Sequence, residues 1–92
     1  ISIERSKRLT ASAYNALLSG RVRFAAELFE AAIAAFPSNP LAHRGLGIAR
    51  ARRNDYARAA GAYLLYLELK PHAPDADDID RVLMEYWRHR GE

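Results

Sequence analysis

The sequence predicts an all-α fold, a solenoid of antiparallel helix pairs built from five helices. Three observations predict it. Gly20, Ala25, Phe29 and Pro37 recur 34 residues later as Asn54, Ala59, Tyr63 and Pro71, and a fixed period in the range of about 20–50 residues marks stacked repeats. Alanine (18 residues) and arginine (12, against two lysines) dominate the composition, and both are good helix formers. The Gly, Asn and Pro punctuation leaves connections of only about two to five residues, which forces consecutive helices to lie antiparallel. No strand pattern competes.

The first helix is expected from about Ser2 to Ser19, with Ile3, Leu9, Ala13, Ala16 and Leu17 at roughly helical spacing. Gly20 ends it, because glycine adopts the left-handed conformation that closes a helix. The second runs from about Val22 to Phe36. Its apolar face (Phe24, Ala25, Leu28, Phe29, Ala32, Ile33, Phe36) is broad enough to pack on two sides, and Pro37 stops it. The third opens on Asn39-Pro40, an N-cap residue followed by a first-turn proline. It closes near Arg53, with Asn54 in the left-handed role. The fourth spans Asp55 or Tyr56 to Leu69 and is stopped by Pro71; the fifth begins near Pro74-Asp75 and ends near His89.

Composition narrows the function classes. Ninety-two residues, half of them hydrophobic, make one small domain. The absence of cysteine excludes a disulfide framework and thiolate metal sites. No apolar run approaches the ~20 residues of a membrane span, and no signal peptide is recognisable, so membrane insertion is not expected and the expected location is cytoplasmic. The chain starts at Ile1 rather than Met and is expected to be a piece of a longer protein. The net charge of +3 is divided unevenly. Residues 1–53 hold nine Lys/Arg and three Asp/Glu (+6), and residues 54–92 hold five and eight (−3). Such polarity can steer partners or favour association between copies.

Each unit is a helix, a tight turn, a second helix and a proline, and this resembles the tetratricopeptide repeat (TPR), a 34-residue helix–turn–helix. Unit one is placed at 6–39, unit two at 40–73 and a capping helix at 74–90. In unit two Leu46-Gly47, Tyr56, Ala59, Tyr63 and Pro71 match the family's pattern, while His43 stands where Trp is frequent. In unit one Leu9, Ala13, Gly20, Ala25, Phe29, Ala32 and Pro37 match, and Ser12 and Val22 depart. Only Ala25/Ala59, Ala26/Ala60 and Pro37/Pro71 are identical between units. Residue class at spaced positions therefore carries the likeness. Gly47 and Ala13 are expected to let the two helices of a unit approach, and Phe29 and Tyr63 to fill the gap toward the next unit. Pro74 keeps the register of Pro40, but Asp77, Asp80 and Arg81 abandon the motif. The last helix is thus read as a cap that covers unit two with Ile79, Val82, Leu83 and Tyr86. Tyr66, where the family places alanine, predicts a cap set farther out or at an altered angle.

The resemblance implies a right-handed α-solenoid whose first helices line a concave groove. The implied groove residues are Lys7, Thr10, Tyr14, Leu17 and Leu18, then Leu41, Arg44, Ile48, Ala51 and Arg52, then Asp75, Asp78, Val82 and Glu85. Apolar Tyr14, Leu17 and Ile48 beside basic Lys7, Arg44 and Arg52 suit a peptide or partner protein with acidic flanks; ordinary core packing is the other reading of Leu17 and Ile48. Thr10, Tyr14 and Gly45 stand where the family's chaperone-tail clamp needs Lys, Asn and Asn, which argues against that ligand.

The remaining constellations carry no chemistry. Asp75–Asp80 lacks the Gly and Glu that a calcium loop needs at its sixth and twelfth positions and instead suits a helix N-terminus. Arg50, Arg52, Arg53 and Arg58 are a mild basic cluster without a nucleic-acid motif, so a nucleic-acid partner is not expected. His43, His72 and His89 have no metal-ligand spacing, and no nucleophile, phosphate loop or paired acid is recognisable. The expectation is a non-enzymatic adaptor or scaffold without cofactor or metal. The alternative is self-association through the capping helix, where Met84, Trp87 and Arg88 form a second stripe and Trp87 either wraps back onto unit two or marks an interface, or service as an appendage of a larger bacterial signalling, secretion or motility protein.

Overall fold

The computed structural model describes residues 1–90. Five helices follow one another without a strand among the described residues: α1 (Ile3–Leu18), α2 (Val22–Ala35), α3 (Pro40–Arg52), α4 (Tyr56–Leu69) and α5 (Ala76–Arg90). They stack as two antiparallel pairs, α1/α2 and α3/α4, with α5 against α4. None is long and apolar enough to cross a membrane.

The two turns inside the pairs are built alike. Gly20 (φ 79°) and Asn54 (φ 61°) occupy the left-handed region at positions 34 residues apart. Beyond them the Arg21 N–H donates to the Ala16 carbonyl, and the Asp55 N–H to the Arg50 carbonyl, both at 2.9 Å. These bonds close the helix through carbonyls that would otherwise lack partners. Ser2 caps α1, its hydroxyl accepting from the Arg5 N–H at 3.1 Å. Asp55 does the same for α4 through the Arg58 N–H.

Asn39 stands at the N-cap position of α3 but makes no capping hydrogen bond. Its buried amide instead donates to the Ser6 hydroxyl (2.9 Å) and the Thr10 hydroxyl (3.1 Å), and Ser6 in turn donates to the Ala32 carbonyl (2.7 Å). This buried set ties α3 to both helices of the first pair. His43 is also buried; its Nε2 donates to the Pro37 carbonyl at 2.8 Å, which fixes the tautomer.

Alanine fills the contact planes between helices. Ala13, Ala25, Ala32, Ala42 and Ala49 are fully buried, which allows close helix approach. Phe29 is the large plug of the first core and is fully buried. Its ring lies in a notch over Gly45 of α3, where an added Cβ would overlap it. Gly47, two residues on, makes the equivalent notch for Tyr63 within the second pair; a Cβ there would stand 2.6 Å from the Tyr63 ring. The expected role of Gly47 thus holds, and Gly45, which the motif did not single out, makes the contact between pairs.

A second core unites Ala59, Ala60 and Tyr63 of α4 with Leu83 of α5, flanked by Ile48, Ile79 and Tyr86. Leu83, Ile79 and Tyr86 cover the second pair as expected, but Val82 is 52 % exposed and does not. Because α5 presents Leu83 toward α4, its neighbour Val82 lies about 100° around the helix. Among the described residues α5 packs on α4 and its backbone makes no close approach to α3. The Tyr66 side chain is buried and bonded to Asp75 just before α5.

Candidate functional site

The cleft of interest opens between α1, the start of α3, and the end of α4 with the loop that follows it. Its volume is about 870 Å³. Lys7, Ala11 and Tyr14 form one wall, Pro40 and Leu41 the base, and Tyr66, Leu69 and the 70–74 loop the other wall. Lys7 and Lys70 lie on opposite walls, His72 is nearby, and no acidic side chain lines the space. The loop can form this wall because Pro71 and Pro74 prevent helix continuation between α4 and α5.

Four side chains brace the walls. The Tyr14 hydroxyl donates to the Leu41 carbonyl (2.9 Å) and accepts from Arg44 Nη1 (3.3 Å). Arg44 Nε donates to Asp75 Oδ2 (2.7 Å), and the Tyr66 hydroxyl donates to Asp75 Oδ1 (2.5 Å). The Tyr14 ring meets Phe29 edge-on, centroids 4.9 Å apart at 80°, so the cleft wall rests on the main core plug. Arg44 and then Tyr66 hold the Asp75 carboxyl below its usual range. Burial, reinforced by Asp75, pushes the Tyr66 hydroxyl up to about 12. Burial likewise raises Tyr14. Near neutral pH the set is one ionised carboxylate, one guanidinium and two protonated phenols, joined as a brace.

The groove residues implied by the resemblance divide into three groups. Lys7, Tyr14 and Leu41 lie together in the cleft, with Thr10 at its floor. Thr10 is buried and its hydroxyl is occupied by Asn39. Leu17 is core, 4 % exposed, and Ile48 is half-buried between the two hydrophobic clusters. The alanine-rich α2 lets α1 sit deep enough to bury this face. Arg44 is committed to Asp75 and Tyr14, and Arg52 Nη1 donates to the Leu17 carbonyl at 3.2 Å. Both were expected to meet a partner, and both instead join neighbouring helices. Asp78 pairs with Arg81 on the outside of α5. Val82 and Glu85 line a separate recess with Tyr56 and Tyr86. Met84 and Trp87 stay exposed, at 68 % and 44 %.

Sequence reasoning missed the α4 and loop wall, including Leu69, Lys70 and His72. The one signal that pointed there was Tyr66. Tyr66, a bulky residue at an alanine position, lines the cleft, and α5 makes no close backbone approach to α3. No group of three or more metal-ligating side chains is assembled among the described residues.

A family model described as a tetratricopeptide repeat matches residues 10–74. The chain belongs to the tetratricopeptide repeat family. The matched span holds most of α1, all of α2, α3 and α4, and the loop wall of the cleft. No curated protein and no solved structure matches the chain. TPRs generally mediate protein–protein interactions and are typically non-enzymatic.

Proposed function

We propose that this TPR domain is a non-catalytic adaptor that binds an extended, acidic-flanked peptide segment of a partner protein in the cleft between α1, α3 and the 70–74 loop. The observation that carries the reading is the charge of the lining. Lys7 and Lys70 line the cleft together with apolar Tyr14, Leu41 and Leu69, with no acid among the lining residues. An apolar anchor would displace water from those apolar side chains, and flanking carboxylates would meet the two ammonium groups. Arg44 is held by Asp75 and Tyr14, and Arg52 gives one donor to the Leu17 carbonyl; the reading of the acidic flanks is assigned to Lys7 and Lys70.

The test is selection from a random extended-peptide library by the wild-type chain and by the Lys7→Glu/Lys70→Glu variant. Both lysines are exposed, so folding is unaffected. The wild type should enrich peptides with an apolar residue flanked by Asp or Glu, and the variant should bind them at least about tenfold more weakly. Enrichment without acidic flanks, or equal binding by the folded variant, refutes the assignment.

A further inference from the structure

The outer flank of α5 remains apart from this cleft. A helix advances 100° per residue, so Asp80, Met84, Trp87 and Arg88 form one continuous flank beside the buried Leu83. Met84 and Trp87 are the cap's exposed apolar pair on that flank. Asp80 and Trp87 have no hydrogen-bond, ion-pair or ring partner among the described residues. Arg88 is exposed and touches only Glu85 of its own helix.

The order of charges on this flank is self-complementary. Asp80 lies four residues before Met84 and Arg88 four after, about 6 Å to either side along the axis. We propose that two copies of the chain pair through this flank, α5 against α5 in antiparallel fashion, with the two-fold axis at Met84. The symmetry sets each Asp80 against Arg88 of the partner subunit and repeats the pair on the other side of the axis. Met84 and Trp87 of both copies fill the centre. A parallel pairing would set Asp80 beside Asp80 of the partner subunit and is disfavoured. The larger charge pattern agrees, because α5 carries Asp77 and Asp78 in its first turn and Arg88, His89 and Arg90 in its last. One helix flank buries less than a standard interface, which places the pairing in the weak, transient class.

Sedimentation equilibrium of the 92-residue chain from about 10 µM to 1 mM reads the association. The wild type should show a monomer–dimer equilibrium that weakens with added salt. Asp80→Arg alone and Arg88→Asp alone should each weaken it about tenfold or more. An equimolar mixture of the two variants should restore it, since every facing pair is again opposite in sign. Met84→Glu, at an exposed position, should abolish it without altering the circular dichroism spectrum. A monomer throughout the range overturns the proposal and gives the flank to a different protein. Dimers that persist equally in both charge variants, or a mixture that fails to restore association, overturn the α5 pairing as well.

Discussion

Replacing Gly45 by alanine tests how the two helix pairs are joined. On helix propensity alone the change should stabilise α3 by about 1 kcal/mol. The tertiary contact opposes it. A Cβ at Gly45 would overlap the Phe29 ring more deeply than the 2.6 Å approach at Gly47. Ordinary carbon contact begins near 3.5 Å, so the ring must withdraw by more than ~1 Å. Phe29 is fully buried and stacked edge-on against Tyr14, which leaves it no free direction. Overpacking of this kind costs roughly 1–3 kcal/mol, and the confined ring puts Gly45 at the upper end. The net is a loss of about 2 kcal/mol, or roughly 8–16 °C in melting temperature for a domain of this size.

Gly61 supplies the control. It also lies inside a helix, but a Cβ there meets nothing within 4 Å. Gly61→Ala should therefore gain up to about 1 kcal/mol. Thermal unfolding followed by circular dichroism reads both. A Gly45→Ala protein about 1 kcal/mol more stable than the wild type, like Gly61→Ala, would refute the notch, because propensity would then be the only effect present.

Asn39→Ala removes the amide that serves the Ser6 and Thr10 hydroxyls and should cost about 1–2 kcal/mol, seen as a lower urea midpoint at unchanged slope. The brace beneath the cleft should give stability two pH limbs. Asp75 titrates lower in the folded chain than in the unfolded one, so its contribution is present above pH ~4 and is lost as pH falls through the folded value. Asp75→Asn should flatten that acid limb in urea titrations. Tyr66 titrates higher when folded, about 12 against 10.0, so its contribution is intact below pH 10 and declines as pH rises toward 12. Tyr66→Phe should remove that decline, and an unchanged alkaline limb would mean that burial of Tyr66 does not govern it.

The helices were legible because their signals are local. Gly20 and Asn54 mark turns through a backbone preference that each residue carries with it. Pro37 and Pro71 end helices by removing a donor and fixing φ. Phe29 and Tyr63 declared themselves as core by size and period. The cap's departure from the motif was readable too. The groove was only partly legible. Periodicity located Lys7, Tyr14 and Leu41 on one face, and it also put Leu17 and Thr10 there, although α1 sinks far enough against its neighbours to bury both. Gly45 was read merely as a missing asparagine, because its purpose appears only when a ring from another pair is set against it.

By itself the sequence determined the fold class, the five helices, the turn residues and the small-against-large pattern that makes the pairs stack. These follow from forces acting within one or two turns of chain, which residue type and spacing encode directly. The tertiary structure alone decided which charged side chains bond across the fold. Arg44 meets Asp75 across 31 residues, and Arg52 meets the Leu17 carbonyl across 35. Such pairings depend on the relative placement of whole helices, to which no local period is sensitive. The same placement brought Lys7 and Lys70 into the lining of one largely apolar cleft, with one lysine near the start of the first helix and the other just past the end of the fourth.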